Sequence, residues 1–231
     1  MAPLAYNEAS RLAARGSDLK SAHMSADSEI DSNRISRARE LSDVKTQFSG
    51  SRINSTYGIH SKAIIVLAYA HWEGFYNDSV NYYIQRLVEA ETRVADAGWL
   101  LLCGVLRSEF QSLRDRYHSP EAKLQFVDSL REISERGFAN FDNTVVLSKS
   151  NLDFSQLRHN FKILGFDITP FQQHRLRIDN ELVKWRHQVA HGDSPDLSAV
   201  DLDNHIAFTQ QAMLLLADTF QSAISAVISE R

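Results

Sequence analysis

Hydrophobic residues recur at steps of three and four along most of this chain, whereas the strict alternation typical of a half-buried strand is rare. The pattern is strongest from Ser61 to Glu91, where the apolar positions are Ile65, Ala68, Trp72, Phe75, Tyr76, Tyr83 and Leu87. A second long stretch runs from about Ser198 or Asp201 to Ile228. The pattern therefore predicts an all-α fold with a central core helix and a long amphipathic helix that closes the chain.

Cap and turn signals predict shorter helices between these two. They run from about Ala97 to Tyr117, from Pro120 to near Gly137 with Ser119 as its cap, and from Ser155 to Leu164 with Gly165 ending it. Thr144-Val145-Val146-Leu147 is expected to be a lone strand or a buried loop. Thr169-Pro170-Phe171-Gln172 has the form of a capping box and predicts a helix of roughly 20 residues that ends at Gly192.

Residues 1–55 form the most polar part of the chain. Periodic positions there predict a long, mostly exposed helix from about Ser25 to Phe48, an arm that lies on the rest of the protein. Gly50 and the polar residues up to Gly58 break the pattern. We therefore expect a polar N-terminal segment with this arm over residues 1–55 and one helical domain over residues 56–231.

Composition narrows the classes of protein that the sequence can encode. A chain of 231 residues, of which 43% are hydrophobic, can build a sizeable core, and this excludes a disordered tail. The single cysteine, Cys103, lies in an apolar run and is expected to be a small buried residue. One cysteine cannot form an intramolecular disulfide, which fits a reducing compartment.

Membrane contact is not expected from the sequence. The longest apolar runs fall far short of the roughly 20 residues that span a bilayer, and the N-terminus does not resemble a secretory signal. We therefore expect a soluble, cytoplasmic protein.

Charge is distributed unevenly along the chain. The net charge of −4 gives no bulk attraction to nucleic acid or to an anionic membrane. Between Gln156 and Gly192, however, six Lys or Arg residues face three acids, a local charge of +3 that leaves −7 elsewhere, and four of the nine histidines lie there. This segment predicts a local phosphate-binding site, with RNA-binding candidates Arg158, Lys162, Arg175, Arg177 and Lys184. The alternative is a solvated helix face.

One stretch in this segment carries a recognisable motif, Trp185-Arg186-His187-Gln188-Val189-Ala190-His191-Gly192. An arginine, four residues and a histidine, with a polar residue directly after the arginine, resembles the HEPN superfamily of α-helical ribonucleases and RNA-binding domains. The order of elements resembles the bacterial MAE-type HEPN-like nucleases, with Trp72-Glu73-Gly74-Phe75 early and Ser150-Asn151-Leu152 before the motif helix. The resemblance covers roughly Ser25 to Ile228 and implies a HEPN-like helical bundle.

The resemblance also implies a reaction. It implies a metal-independent endoribonuclease without cofactors, in which two protomers of a homodimer share a cleft and RNA is cut to 2′,3′-cyclic phosphate ends. His191 would act as general base or acid, Arg186 would stabilise charge on the phosphorane, and His187 would orient RNA or His191. A toxin or antiphage-defence effector, with a protein antitoxin or other defence partner, is the expected role.

Other interpretations of the same residues stay open. A non-catalytic HEPN module would bind RNA or a protein through the same basic groove, and a helical interaction protein would dock its N-terminal arm on a partner. Arg186 and His191 near a helix end followed by Gly192 also stabilise a helix, since cations offset the macrodipole and glycine caps it. His187 and His191 lie one turn apart, but residue 188 is Gln and no third ligand is suitably spaced, so a metal site is not expected.

Four apolar residues around the motif, Phe171, Ile178, Leu182 and Trp185, are expected to be core or dimer-interface anchors. Glu73 has no cation one turn away on its helix, so it is either exposed or meets a distant partner. We predict that it hydrogen-bonds Arg186 or a motif histidine and supports the site.

Overall fold

The computed structural model describes residues 28–47, 58–116, 118–130, 133–149, 151–193 and 201–229. Within these ranges the regular secondary structure is helical and contains no strand, so the predicted all-α fold is confirmed. The predicted domain boundary between residues 55 and 56 lies outside the described residues.

The helices are numbered in chain order. They are α1 (28–47), α2 (Ile59–Glu89), α3 (Val94–Ala97), α4 (Leu102–Val105), α5 (Arg107–Asp115), α6 (Pro120–Ser129), α7 (Phe154–Leu164), α8 (Thr169–Gln172), α9 (Arg175–Arg177), α10 (Trp185–Ala190) and α11 (Leu202–Ser229). Single 3₁₀ turns cover Trp99–Leu101, Ile133–Glu135 and Asn143–Val145, and Ile178–Lys184 is π-helical.

The core forms where α2 packs along α11. Trp72, Phe75 and Tyr76 of α2 are fully buried, and Tyr76 meets Phe220 of α11 edge to face at 6.2 Å between ring centroids. The two long helices predicted from periodicity are therefore confirmed to within a few residues at their ends. By length and composition alone α11 is long and apolar enough to cross a bilayer, but one of its faces is buried against the core.

The α1 arm lies on the core, as predicted. Its Ile30 and Leu41 side chains are buried, whereas most of its other residues contact solvent. Arg37 donates to Asp78 of α2 at 2.7 Å. Gly74 of α2 permits this approach, because a Cβ there would lie 2.8 Å from an Arg37 guanidinium nitrogen.

The region from Ala97 to Tyr117 is not one helix. It divides into α3, a 3₁₀ turn, α4 and α5, because Gly98 adopts φ 143° and Leu106 adopts φ −100°, ψ 18°, both outside the helical region. Cys103 is exposed, so its predicted burial is wrong. The apolar run around it is split into short turns, which leaves Trp99 and Leu100 half exposed as well.

The helix that follows begins as predicted and ends early. Ser119 caps α6 by accepting the Ala122 N–H, but α6 ends at Ser129 instead of near Gly137. The chain then turns so that Arg136 donates to Glu109 of α5 at 2.6 Å. For residues 144–147 the sequence predicts a lone strand or a buried loop, and the structure agrees with the loop. Asn143–Val145 is a 3₁₀ turn, and Val146 is fully buried.

The predicted continuous helix after Thr169 is interrupted. α8 ends at Gln172, and a π-helical segment, Ile178–Lys184, separates α9 from α10. The predicted capping box is wrong as well. The side-chain acceptor at this helix start is Asp167, not Thr169, and it accepts the Thr169 N–H at 2.9 Å. By contrast α7 begins at Phe154 and ends at a left-handed Gly165, as predicted.

Candidate functional site

The motif residues lie at the end of α10, directly after the π-helical segment Ile178–Lys184. Single turns of π-helix occur often at functional sites, because the wider turn changes the direction of the side chains that follow. Gly192 ends the helix with φ 81°, its N–H donating to Val189 O, while the Asp193 N–H donates to Gln188 O. These two bonds form a glycine C-cap, so Gly192 has a structural role that is independent of any catalytic role of the motif.

The two motif histidines lie together on the surface. The ring centroids of His187 and His191 are 4.2 Å apart, and both side chains are exposed. One helical turn separates the residues, which brings the two rings together at an interplanar angle of 50°. Two adjacent imidazoles open to solvent can accept and donate protons to a bound ligand.

Arg186 is held more firmly than the histidines. Its guanidinium carbon lies 4.0 Å from the centroid of the Tyr69 ring of α2, and its Nη2 donates to Asn151 Oδ1 at 2.6 Å. The side chain is half-buried. A guanidinium fixed by a ring face and an amide oxygen keeps its other N–H donors in a set direction.

Tyr69 links this arginine to Glu73. The Tyr69 hydroxyl donates to Glu73 Oε1 at 2.8 Å and accepts the Leu152 N–H at 2.9 Å. Burial raises the pKa of Tyr69 to about 12, with the Glu73 carboxylate adding to the rise, so the hydroxyl stays protonated. Glu73 is therefore connected to the Arg186 site through Tyr69, and a direct bond to Arg186 or a motif histidine stays a prediction.

The segment that carries Asn151 is fastened to α2 and α7 by side chains that bond its backbone. Trp72 Nε1 donates to Leu152 O at 3.1 Å, and Tyr76 donates to Val146 O at 2.7 Å. The buried Asn160 amide of α7 also donates to Val146 O. Asn151 is thus presented to Arg186 by a rigid support.

Sequence reasoning did not select Tyr69 or Asn151 as site residues. Tyr69 precedes Glu73 by one helical turn, and this spacing is the signal that places its hydroxyl within reach of the carboxylate. Asn151 belongs to the Ser150-Asn151-Leu152 segment quoted for the resemblance. Its contact with Arg186 spans 35 residues and leaves no periodic signal.

The five predicted RNA-binding cations differ in their contacts. Arg177 is partly buried, with its guanidinium 2.6 Å from Glu181 and 4.0 Å above the Phe208 ring. Arg175 is exposed, and Asp179 lies 3.9 Å away. Arg158 and Lys184 are exposed, and Lys162 lines a cavity beside α7. Both of these ion pairs join residues already included in the local charge of +3, so that net charge remains after pairing.

The Arg177 pair belongs to a buried cluster behind the motif helix. His205 of α11 is buried, and its Nδ1 lies 3.7 Å from Glu181 Oε2, while its ring lies 5.5 Å from that of Trp185. Burial acts to raise the pKa of Glu181, but His205 and Arg177 outweigh it and lower that pKa to about 2. This cluster anchors the motif helix to the core.

Three of the four predicted anchors are core residues, since Phe171, Ile178 and Leu182 are completely buried. Trp185 is partly exposed, so its role as a dimer-interface anchor stays a prediction. In the part of the chain that the structure describes, no group of three or more His, Cys, Asp or Glu side chains is placed to hold a metal ion.

Comparison with known families gives one match. The model of a family described as RiboL-PSP-HEPN matches residues 32–222, which is most of the chain. This confirms the predicted HEPN superfamily, while the narrower MAE-type resemblance stays a prediction. Searches of curated proteins and of solved structures found no match.

Proposed function

Because the chain belongs to the RiboL-PSP-HEPN family, we propose that it is a metal-independent endoribonuclease that acts as a homodimer. HEPN domains include ribonucleases and RNA-binding modules, so RNA is the ligand class that the family indicates. One observation carries the choice of an enzyme. An oriented guanidinium, Arg186, and two adjacent exposed imidazoles, His187 and His191, lie within one turn and a half of the same helix end.

These side chains supply what RNA cleavage by the 2′-hydroxyl requires. His191 takes the proton from the 2′-hydroxyl, and that oxygen attacks the adjacent phosphorus. The 5′-oxygen of the next nucleotide leaves and receives a proton, which forms a 2′,3′-cyclic phosphate and a 5′-hydroxyl. Arg186 stabilises the negative charge that grows on the non-bridging oxygens, and His187 orients the phosphate or the His191 ring.

A second copy of the chain completes this arrangement. Five residues along an α-helix turn through about 140°, so Arg186 and His191 leave their helix in different directions. Two motif helices facing each other across a two-fold axis would place an arginine of one protomer near the histidines of the other. The same pairing supplies one imidazole as base and another as acid.

The proposed setting is the cytoplasm, where RNA is abundant and the exposed Cys103 thiol would stay reduced. A ribonuclease that attacks cellular RNA must be restrained or triggered. We therefore propose a toxin or antiphage-defence role with a protein antitoxin or other defence partner. Coexpression with neighbouring genes tests this role, since a toxin requires a partner for cell growth.

The second candidate is a non-catalytic HEPN module that binds RNA or a protein. It is favoured by the half-buried position of Arg186 between Tyr69 and Asn151, which is also how a structural arginine is held. In this case the exposed histidines would contact the ligand without proton transfer.

The 2′-hydroxyl of the substrate separates the two candidates. Purified protein is incubated in EDTA with a structured RNA and with the same strand made of deoxyribose. An enzyme of the proposed type cuts only the RNA and leaves 2′,3′-cyclic phosphate and 5′-hydroxyl ends. Cleavage of the deoxyribose strand, loss of activity in EDTA, or 5′-phosphate ends would contradict the proposed chemistry. Binding of RNA without cleavage would favour the non-catalytic module.

A further inference from the structure

A cavity of about 520 Å³ opens beside α7, and the exposed histidine pair of the motif is not part of its lining. Its apolar walls include Leu100, Val145 and Ile163, and two lysines and a histidine also line it: Lys149, Lys162 and His159. This volume lies in the range of small-ligand sites, which are mostly apolar with a few placed polar groups. An apolar wall suits a nucleobase, and flanking cations suit a phosphate.

The positive charge of the cavity is available to a ligand. Arg107, which also lines it, is bound to the Asp142 carboxylate and the Thr144 hydroxyl. Among the described residues, by contrast, no carboxylate pairs with Lys149 or Lys162. The cavity therefore presents two lysines whose charge is not neutralised by the described part of the protein.

Lys149 is held in place by its neighbours in the chain. Its backbone adopts φ 57°, a left-handed conformation that is uncommon for residues other than glycine. The preceding Ser148 is buried and bonded twice to the Asn77 side chain of α2, each time at 3.0 Å. These bonds fix the backbone that directs Lys149 to the cavity.

The cavity adjoins the Arg186 site through one short piece of chain. Lys149 lies two residues before Asn151, which accepts the hydrogen bond from Arg186. Two residues of extended chain span at most about 7 Å. A single strand of RNA bound at Arg186 can therefore continue toward Lys149.

We propose that this cavity binds one nucleotide of the RNA strand next to the cleaved phosphate. Its base packs against Val145 and Ile163, and its phosphate lies between Lys149 and Lys162. The choice of RNA over a free nucleotide rests on the ribonuclease function proposed above. The site adds contacts on one side of the cleaved bond, so it favours single-stranded RNA, whose bases are free to leave a helix.

The only cysteine of the chain provides a direct readout, because Cys103 is exposed and lines this cavity. The rate of Cys103 alkylation by iodoacetamide is measured in the His191→Ala protein, so that RNA stays intact. A saturating single-stranded RNA oligonucleotide should slow alkylation by about fivefold or more, because a ligand bound in the cavity would cover the Cys103 side chain that lines it. Unchanged alkylation with RNA bound would overturn the cavity site.

A parallel measurement with a mononucleotide shows whether the ligand is an RNA strand or a free nucleotide. At equal concentration, a 5′-mononucleotide should protect Cys103 much less than the oligonucleotide, since it lacks the contacts at Arg186. Equal protection would overturn the RNA strand as the ligand and assign a free nucleotide instead. The readout requires no cleavage, so it is separate from the failure or success of the ribonuclease proposal.

Matched lysine variants complete the test. The double variant Lys149→Gln, Lys162→Gln should abolish the protection of Cys103. It should also reduce the slope of the logarithm of the RNA-binding constant against the logarithm of the salt concentration by about 0.7 for each lysine. The control is Lys123→Gln on the exposed face of α6, which should keep full protection. Equal alkylation rates without RNA show that the variants fold alike. Full protection in the double variant would contradict the proposed lysine contacts.

Discussion

The guanidinium of Arg186 lies 4.0 Å above the Tyr69 ring, while the Tyr69 hydroxyl is bonded to the Glu73 carboxylate. One tyrosine of the central helix therefore contacts the arginine of the motif and the acidic residue that precedes Gly74. The ring gives Arg186 a flat surface, and the hydroxyl bonds Glu73 and the Leu152 N–H. The motif arginine is thus positioned by a residue more than a hundred positions earlier in the chain.

Two substitutions at Tyr69 separate these roles. Tyr69→Phe keeps the ring but leaves Glu73 and the Leu152 N–H unpaired, so it should lower the free energy of unfolding by about 1–3 kcal/mol with little effect on RNA cleavage. Tyr69→Leu removes the ring as well and should slow cleavage by about tenfold, the value of a cation–π contact of about 1–2 kcal/mol. Denaturant unfolding and cleavage rates measure the two effects. Equal cleavage by both variants would show that the ring does not position Arg186.

The Glu181 cluster predicts a loss of stability in acid. The pKa of Glu181 is lowered from 4.5 to about 2 in the folded protein, so its stabilising contribution is present above pH 4.5 and is lost as the pH falls toward 2. Glu181→Gln should lower the free energy of unfolding by about 2 kcal/mol at neutral pH and flatten its dependence between these two pH values. Urea unfolding at a series of pH values measures this. The exposed Glu121→Gln is the control, and an equal effect of both variants would contradict the cluster's role.

Gly104 predicts a packing effect in the short-helix region. A Cβ on this residue would lie 2.3 Å from the Phe141 ring, whereas one on Gly137 would meet only Thr92 O at 3.6 Å. Gly104→Ala should therefore lower the free energy of unfolding by about 1–3 kcal/mol despite alanine's better helix propensity. Thermal unfolding compares it with Gly137→Ala, which should stay close to wild type. A neutral Gly104→Ala would show that the Phe141 ring can move at little cost.

How far the sequence predicts this fold depends on the length of each element. α2 and α11 are long enough for the period of apolar residues to determine both their existence and their buried faces. The region around Cys103 is not, because the backbone angles of Gly98 and Leu106 lie outside the helical region and break it into short turns. Neither feature has a periodic signature, and the exposure of Cys103 follows from that break.

The candidate site also combines features that the sequence predicts with features that depend on the tertiary structure. The local spacing of His187 and His191 predicts that their rings lie together on one helix face. The π-helical segment before them has no sequence signal that separates it from an α-helix. The contacts of Arg186 with Tyr69 and Asn151 depend on tertiary packing, so a single sequence does not show them.

The shared cleft predicts a dimer in solution. Light scattering at micromolar concentration should give a mass twice the 26.2 kDa of one chain. Dilution below the dissociation constant should abolish cleavage, because one protomer presents Arg186 and His191 in different directions. A monomer at micromolar concentration that cleaves RNA at full rate would contradict the shared cleft.

The most direct measurement of the central claim compares two exposed histidines. The single-turnover rate of RNA cleavage in EDTA is measured for wild type, His191→Ala and the control His118→Ala, each checked for an unchanged melting temperature. His118 is exposed beside α6, outside the motif. We expect His191→Ala to lose about 10²- to 10⁴-fold in rate, as for removal of a general acid or base, and His118→Ala to stay within about twofold of wild type. Cleavage by His191→Ala at the wild-type rate would contradict the assignment of this motif as the catalytic site.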